Sequence, residues 1–453
     1  MSFLIPPPLK NWKRLFLTFS IVAMLATVFP TLAQQSAIQY FRPYEKDGLN
    51  IYGPSKNDTI PFSGIKVRVG ANLSQDFQMI MDQNHAMSVY VNGANVNQLK
   101  TLTGAFNPTL ANLNLDVQMQ DGIRVNLASY LSAKDHGEVL FKDWYIQIDK
   151  IVFLKSDFID TLMKSFTIKT GFYEMDYGDQ HFRRTDGGNN IYNPFVENYI
   201  MDEYTLESGT EVYYHSKNGI IALVGISNGE LNPTVVAPVK IDSATGKLNL
   251  SAPSFHFKLG YDKQFNQDFR CRLTGSYYMD QSATDNGLFF GDITGSHYIL
   301  VMENTTASPN ATAWSGKYNP QFSGQVNALM INPFIKYKGL EFFGTYEMAH
   351  GRTINETSMR KATQYAADLI YRFPQKPEDF WVGLRYNSVI SALPLSQSDI
   401  TINRDVCSIG WFTSKNIILK VEYVNQQYLN FASTDIRSGG KFSGFIVETA
   451  IGF

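Results

Sequence analysis

Cysteine is nearly absent: Cys271 and Cys407 are the only two in 453 residues. They stand far apart, with no CxxC spacing and no clustered histidines. That argues against a zinc site and leaves two separate thiols as the expectation, with a disulfide open in an oxidising compartment. Net charge is only −2, and no basic run follows the N-terminus, so nothing favours a nucleic-acid partner. Beyond the first thirty-odd residues there is no stretch of about 18 apolar residues, the length a helix needs to span a bilayer. Mean hydropathy is −0.18, too polar for a bundle of such helices. Catalytic signals are missing as well. GxSxG is absent, and none of His85, His136, His181, His215, His256, His297 and His350 accompanies a serine in a nucleophile motif. Asp186-Gly187-Gly188 marks a turn without calcium-loop spacing. No metal and no cofactor is expected.

What is abundant is aromatic: 25 Tyr and 32 Phe bring the aromatic share to 14%. The N-terminus reads as an address label. Lys10, Lys13 and Arg14 precede an apolar run from Leu15 to Phe29, and Thr31-Leu32-Ala33 suits a cleavage site. Residues 1–33 are therefore expected to be a secretory signal peptide for Sec export, cleaved near Ala33. No cysteine follows, so a lipoprotein is not expected. Residues 34–63, with Pro43, Pro54 and Pro61, read as a periplasmic N-terminal arm too short to be a separate plug domain.

From 64 to 453 the chain alternates. In "ANLNLDVQMQDGIRVNLASYL", Leu113, Leu115, Val117 and Met119 oppose Asn114, Asp116, Gln118 and Gln120. Period 2 means strands with one apolar and one polar face. "GIKVRVGANL", "FTIKTGF", "FHFKLGYD", "FRCRLTGSYYM", "LEFFGTYEM", "TQYAADLIYRF" and "NIILKVEYV" repeat the habit. Tight connections such as Asp121-Gly122, Lys217-Asn218-Gly219 and Lys338-Gly339 carry hairpin chemistry. A two-residue Asp-Gly loop would join opposite faces, so a three-residue loop pairing Met119 with Ile123 is expected. Long polar connections fall near 76–110, 174–203, 229–254, 281–328, 349–362, 388–399 and 426–440. Residues 297–304 look strand-like but lie within one of these, which could fold inward. Strict alternation of short and long connections fits a transmembrane barrel with short periplasmic turns and long extracellular loops, of about 16 strands.

A soluble sandwich also alternates. Strands of about ten residues, and tyrosines near strand ends (Tyr130, Tyr173, Tyr261, Tyr277, Tyr371) suited to interfacial girdles, favour the closed antiparallel barrel. The chain ends "KFSGFIVETAIGF", with Phe445, Val447, Thr449 and Ile451 on one face. A final strand closing on Phe453 resembles the insertion signal of bacterial outer-membrane barrels. It implies the barrel-assembly machinery and outer-membrane lipid as partners.

The segments "ANLNLDVQMQDGIRVNLASYLS", "DWYIQIDK" and "GFYEMDYGDQHFRRTDGGNNIYNPFVENYIMDEY" resemble outer-membrane porins of the Bacteroidetes. Those in turn are distantly similar to phosphate-selective porins. The resemblance implies a sixteen-stranded, trimeric barrel. The phosphate-binding arginines and lysines of that family have no residue-by-residue counterparts here.

Parity predicts a lumen lined by Lys66, Arg68, Arg124, Lys169, Lys258, Arg270, Arg272, Lys336, Arg372, Arg385 and Lys420. Asp116, Glu207, Glu211, Glu341, Glu347, Asp368, Glu422 and Glu448 fall on the same face. Two readings stand: a mixed-charge lumen with general diffusion, or weak anion preference through the strip Lys258, Arg270 and Arg272, which Glu341 and Glu347 would partly offset. Arg183 and Arg184 in "HFRRTDGGNN" are either an anion funnel at the mouth, a solvated face, or part of a constriction held by internal ion pairs. The function expected is passive diffusion of small hydrophilic solutes or ions. A phospholipase-like barrel enzyme and a structural or assembly barrel without conductance are the alternatives.

Overall fold

Alternation of this length closes on itself. A computed structural model describes residues 35–453 except 54–55, 59, 134–138, 232–234, 236–239, 310–314 and 397; the expected signal peptide lies outside the described residues. The chain divides at Ala37, and the second unit, Ile38–Phe453, holds the barrel. Its strands are β1 (Lys66–Gln83), β2 (Leu110–Gln120), β3 (Ile123–Ser132), β4 (Val139–Ile148), β5 (Phe166–Glu174), β6 (Leu206–His215), β7 (Ile220–Ser227) and β8 (Ser254–Gln264). There follow β9 (Phe269–Asp280), β10 (Gln325–Tyr337), β11 (Leu340–Arg352), β12 (Arg360–Phe373), β13 (Phe380–Ala392), β14 (Asp399–Ser414), β15 (Ile417–Leu429) and β16 (Lys441–Gly452). Each pairs antiparallel with the next, and β16 pairs with β1 from Asn72–Gly452 to Gln83–Lys441. The ring therefore leaves no free strand edge. An even count brings both ends to one rim, where the backbones of Ala71 and Phe453 exchange hydrogen bonds of 3.2 and 3.1 Å.

The faces follow from parity. On β2, Leu113, Leu115 and Met119 point outward while Asn114, Asp116 and Gln118 are buried inside. The same exterior continues in Leu259, Leu273, Leu369, Leu384, Ile409 and Phe445. Tyr261, Tyr277 and Tyr371 are outward as expected. Tyr130 and Tyr173 are not; both are fully buried within the barrel. They share parity with Arg124 and Lys169, and Tyr130 finds Asp186 and Tyr204 inside.

The first turn differs from expectation in an instructive way. Gln120 pairs directly with Ile123 across a two-residue Asp121-Gly122 loop, and Gly122 is left-handed at φ 74°. The conflict of faces is absorbed by a bulge at Met119, so that Gln118 still meets Arg124. At the Lys338-Gly339 turn the positive φ falls on Lys338 rather than on Gly339. Gly339 is needed for space, since a Cβ there would collide with the Arg372 carbonyl oxygen.

Strands outrun the apolar pattern: β1 reaches Gln83, and β11 through β13 and β15 extend several residues into segments expected as loops. The apolar alternation marks only the stretch whose outer face is apolar, whereas the ladder continues where both faces are polar. Short and long connections do not alternate strictly either. Residues 149–165, at the short-turn rim, carry a helix α1 (Asp157–Met163). Ser156 caps its N-terminus, with Asp157 and Asp160 in the first turn. The sequence reading also lacks a connection between β3 and β4, most of which lies outside the described residues.

Residues 297–304 form no strand, and Tyr298 and Val301 are fully buried. They belong to a core inside the barrel. Inward residues of β10 to β16, among them Met330, Ile370, Trp381, Ile402, Val406 and Phe442, pack with Phe195, Val196, Ile200, Tyr298 and Val301. The inner face is thus partly apolar on this side, because it meets protein rather than water. Cys271 and Cys407 are free thiols.

Candidate functional site: the filled lumen

Three segments enter the barrel. The first, residues 175–205 between β5 and β6, has no regular strand, so its buried backbone needs hydrogen-bond partners. Lumen-facing side chains supply them. Glu422 accepts from Val196 N at 2.7 Å, Asn387 from Ile200 N at 2.6 Å and Gln364 from Met201 N at 2.9 Å. Trp381 Nε1 and Ser408 Oγ donate to the Pro194 carbonyl at 3.0 and 2.9 Å. Lys420 Nζ donates to the Asn190 and Phe195 carbonyls at 2.7 and 3.1 Å. Arg385 reaches Glu197 O at 2.8 Å and Arg404 reaches Asn198 O at 2.7 Å.

The second segment, 281–324, adds His297, which pairs with Asp76 and lies 3.8 Å from Glu448. Burial would lower the His297 pKa, but Asp76, Glu448 and Glu197 outweigh it and raise it to about 9. The third is the N-terminal arm. Gln39 bonds Gln118, Tyr44 Oη donates to Asp116 at 2.9 Å, and Asn50 donates to Glu341 at 2.9 Å. The arm expected in the periplasm thus sits within the short-turn end of the barrel. It is too short to plug the lumen alone, and fills it jointly with 175–205 and 281–324.

The eleven cations named by parity can now be placed. Eight have carboxylates at hand. Arg124 pairs with Asp116 at 3.0 Å, Arg372 with Glu341 at 2.9 Å, Arg385 with Asp368 at 2.7 Å and Lys420 with Glu448 at 2.6 Å. Lys336, nearer the rim, sits between Glu341 and Glu378. The supposed cationic strip is compensated. Lys258 meets Asp176 and Asp179, Arg272 meets Asp179 and Asp262, and Arg270 meets Asp262 at 2.7 Å. Two of these three carboxylates come from the inserted segment, not from Glu341 and Glu347, which parity suggested. Burial raises the Asp179 pKa, yet Arg272 and Lys258 hold it well below the usual carboxylate range.

Arg183 and Arg184 do not stand at a mouth. Both are buried. Arg183 contacts Asn50, Tyr52 and Glu341, and Arg184 chelates both Asp202 oxygens at 2.7 and 2.8 Å. Internal ion pairs with Glu341, Glu174 and Asp202 hold both side chains.

Lys66 stands near the short-turn rim opposite Gln118. Arg68 stacks on Phe41. Lys169 lies 3.9 Å from the Tyr173 ring centroid and 4.4 Å from that of Tyr145. Among the described residues, Arg68, Lys169 and the arm's Arg42 have no carboxylate at ion-pair distance. Arg42 stacks 3.7 Å from the Tyr192 ring and donates to the Gly48 and Phe182 carbonyls. Burial pulls its guanidinium pKa below the ordinary value. Arg42 and Lys169 line one cavity of about 250 Å³ together with Tyr44, Asn126, Asp143 and Tyr192. A second, of about 1060 Å³, opens near the short turns between Lys56, His215, Asp262, Arg270 and α1.

Sequence reasoning missed the loop carboxylates Asp176, Asp179, Asp202 and Glu197 and the whole arm. A signal existed for the former: "MDYGDQHFRRTD" carries acids and arginines in near balance, as expected of a segment that neutralises itself when buried.

No family profile matches the chain, and no curated protein matches it significantly. Solved structures of similar shape include the outer membrane channel DcaP of Acinetobacter baumannii, at 11% identity over 86% of this chain and 98% of that one, TM-score 0.49. An anion-selective porin from Comamonas acidovorans matches at 9% identity over 86% and 100%, TM-score 0.49. OprB of Pseudomonas putida matches at 8% identity over 86% and 94%, TM-score 0.48. At these identities the likenesses do not bear on activity or selectivity.

Proposed function

We propose that this chain is an outer-membrane porin passing small hydrophilic solutes, with a weak preference for anions. It would be exported through residues 1–33, inserted by the barrel-assembly machinery through the strand ending in Phe453, and assembled as a homotrimer. The carrying observation is the pairing of an apolar exterior with a charged interior whose cavity of about 250 Å³ is lined by Arg42, Arg124, Lys142, Lys169 and Arg184 against Asp143, Glu174 and Asp186. Apolar side chains on every outward face suit hydrocarbon. Inside, most cations are paired, whereas Lys169 and Arg42, with no carboxylate at ion-pair distance, face that cavity, and pore charge biases permeation. The anion preference therefore rests on Lys169 and Arg42 rather than on Arg270 and Arg272. A channel is favoured over a phospholipase because two of the inward histidines serve structure: His256 Nε2 lies 2.8 Å from Glu211 and His297 is bound by Asp76.

A second reading, a structural barrel without conductance, is favoured by one observation: 175–205 packs tightly against β11 to β15. Planar-bilayer recording on purified protein separates the two. Stepwise conductance is expected, with a reversal potential in a salt gradient displaced toward anions and the displacement reduced in Lys169→Glu. Absence of any conductance selects the structural barrel. An unchanged reversal potential in Lys169→Glu removes the anion preference.

A further inference from the structure

The 149–165 connection is an outlier at its rim. Its neighbours there are turns of two to six residues such as Asp121-Gly122, Lys338-Gly339 and 374–379, and hairpin joints need no more. This one spends its extra length on "IVFLKSDFIDTLMK", in which Phe153 62%, Leu154 54%, Phe158 73% and Leu162 41% are exposed, while Met163 is buried and Val152 borders the cavity at the barrel mouth. An exposed cluster of this kind marks an interaction surface.

The helix supplies its own compass. Asp160, Met163 and Lys164 line the cavity at the short-turn end, so that side of α1 faces the barrel mouth. At about 100° per residue, Phe158 and Leu162 point in the opposite direction, away from the barrel axis. Phe153 and Leu154, in the short 3-10 turn before the helix, add further exposed apolar surface. Outward from the axis at this rim, the neighbouring strands already present Phe166, Ile168, Val212 and Ile220 on their outer faces. The apolar stripe of the connection continues that exterior past the ends of the strands. Exposed Lys155 flanks it, placed as a snorkelling cation is at an interface.

We propose that residues 153–162 form an interfacial foot seated in the phospholipid leaflet at the short-turn rim. Its apolar stripe lies among the upper acyl chains, and Lys155 reaches lipid phosphates. The opposite side of the same helix borders the cavity mouth, so lipid docking holds that border outward. The assignment rests on the membrane-barrel reading above. It commits to lipid over a protein partner because the stripe is continuous with the lipid-facing exterior and radially directed.

Site-directed spin labelling tests it. In a Cys271→Ser, Cys407→Ser background, Phe158→Cys, Asp160→Cys and Leu259→Cys are labelled singly. Each is reconstituted into vesicles of phosphatidylethanolamine and phosphatidylglycerol, with heat-modifiable gel mobility as the check on folding. Collision with oxygen reports hydrocarbon, and collision with a neutral nickel chelate reports water. The label at 158 is expected to favour oxygen several-fold over the label at 160, approaching the label at 259 on the barrel exterior. Equal accessibility at 158 and 160, with 259 still favouring oxygen, overturns the foot alone. A label at 158 shielded from both reagents identifies a protein partner or second copy, and overturns it too. Should 259 favour nickel, the membrane reading itself fails, and the foot with it.

Discussion

Replacing Asp179 with asparagine should loosen the inserted segment and change what the lumen conducts. The Asp179 carboxylate accepts from Arg272 Nε at 2.7 Å and Nη2 at 2.9 Å, from Thr274 Oγ1 at 2.7 Å and from Lys258 Nζ at 3.2 Å. Its residue is fully buried. Breaking a buried ion pair by removing one partner costs about 3–5 kcal/mol, because the other charge is left uncompensated. Here Arg272 keeps Asp262 at 3.0 Å and Lys258 keeps Asp176, and the asparagine retains one acceptor oxygen. The expected loss is therefore nearer 2 kcal/mol, about a 30-fold shift in the ratio of seated to released segment. Two measurements check it. The temperature at which the folded gel band converts should fall. In planar bilayers conductance should rise, and the reversal potential should move further toward anions as Lys258 and Arg272 are uncovered. Asp268→Asn, the same charge change at an exposed turn, should do neither. An Asp179→Asn protein with wild-type conversion temperature and wild-type currents would refute the claim that these pairs hold the segment in place.

Three further outcomes are expected. Removing residues 38–58 while keeping 1–37 should enlarge single-channel conductance, because the arm's contacts with Gln118, Asp116 and Glu341 occupy the short-turn end; identical step sizes would show that the arm lies off the path. The His297 pKa stands above its unfolded value of about 6.5, at about 9 in the fold. The stability it contributes should thus be complete below about pH 6.5 and be lost as pH rises through 9, a trend that thermal-conversion profiles should show and His297→Gln should flatten. Deleting Phe453 should impair membrane insertion, read as loss of heat-modifiable mobility; normal folded yield would count against an insertion role for this residue.

Period-2 alternation, the tight turn residues and the apolar outer face are local or nearest-neighbour properties, so the sequence by itself determined the barrel, its approximate count of sixteen strands and the side to which each inner cation points. Asp116, Glu341 and Lys420 are inward because a strand has only two faces. The same logic placed 297–304 in a loop, since an additional strand would break the even count. What a cation meets across the lumen is a different matter. Whether Arg272 lines open water or clasps Asp179 depends on where a 31-residue irregular segment, 175–205, comes to rest. That is decided by long-range backbone hydrogen bonding to Glu422, Asn387 and Gln364, with no periodicity to reveal it. The arm is a similar case: polar and proline-bearing, it reads as solvent-exposed until the barrel provides an interior of matching polarity. The bulge at Met119 and the outward stripe of α1 also became visible only in three dimensions. Both depend on how neighbouring strands and the barrel axis orient residues whose local pattern admits more than one arrangement.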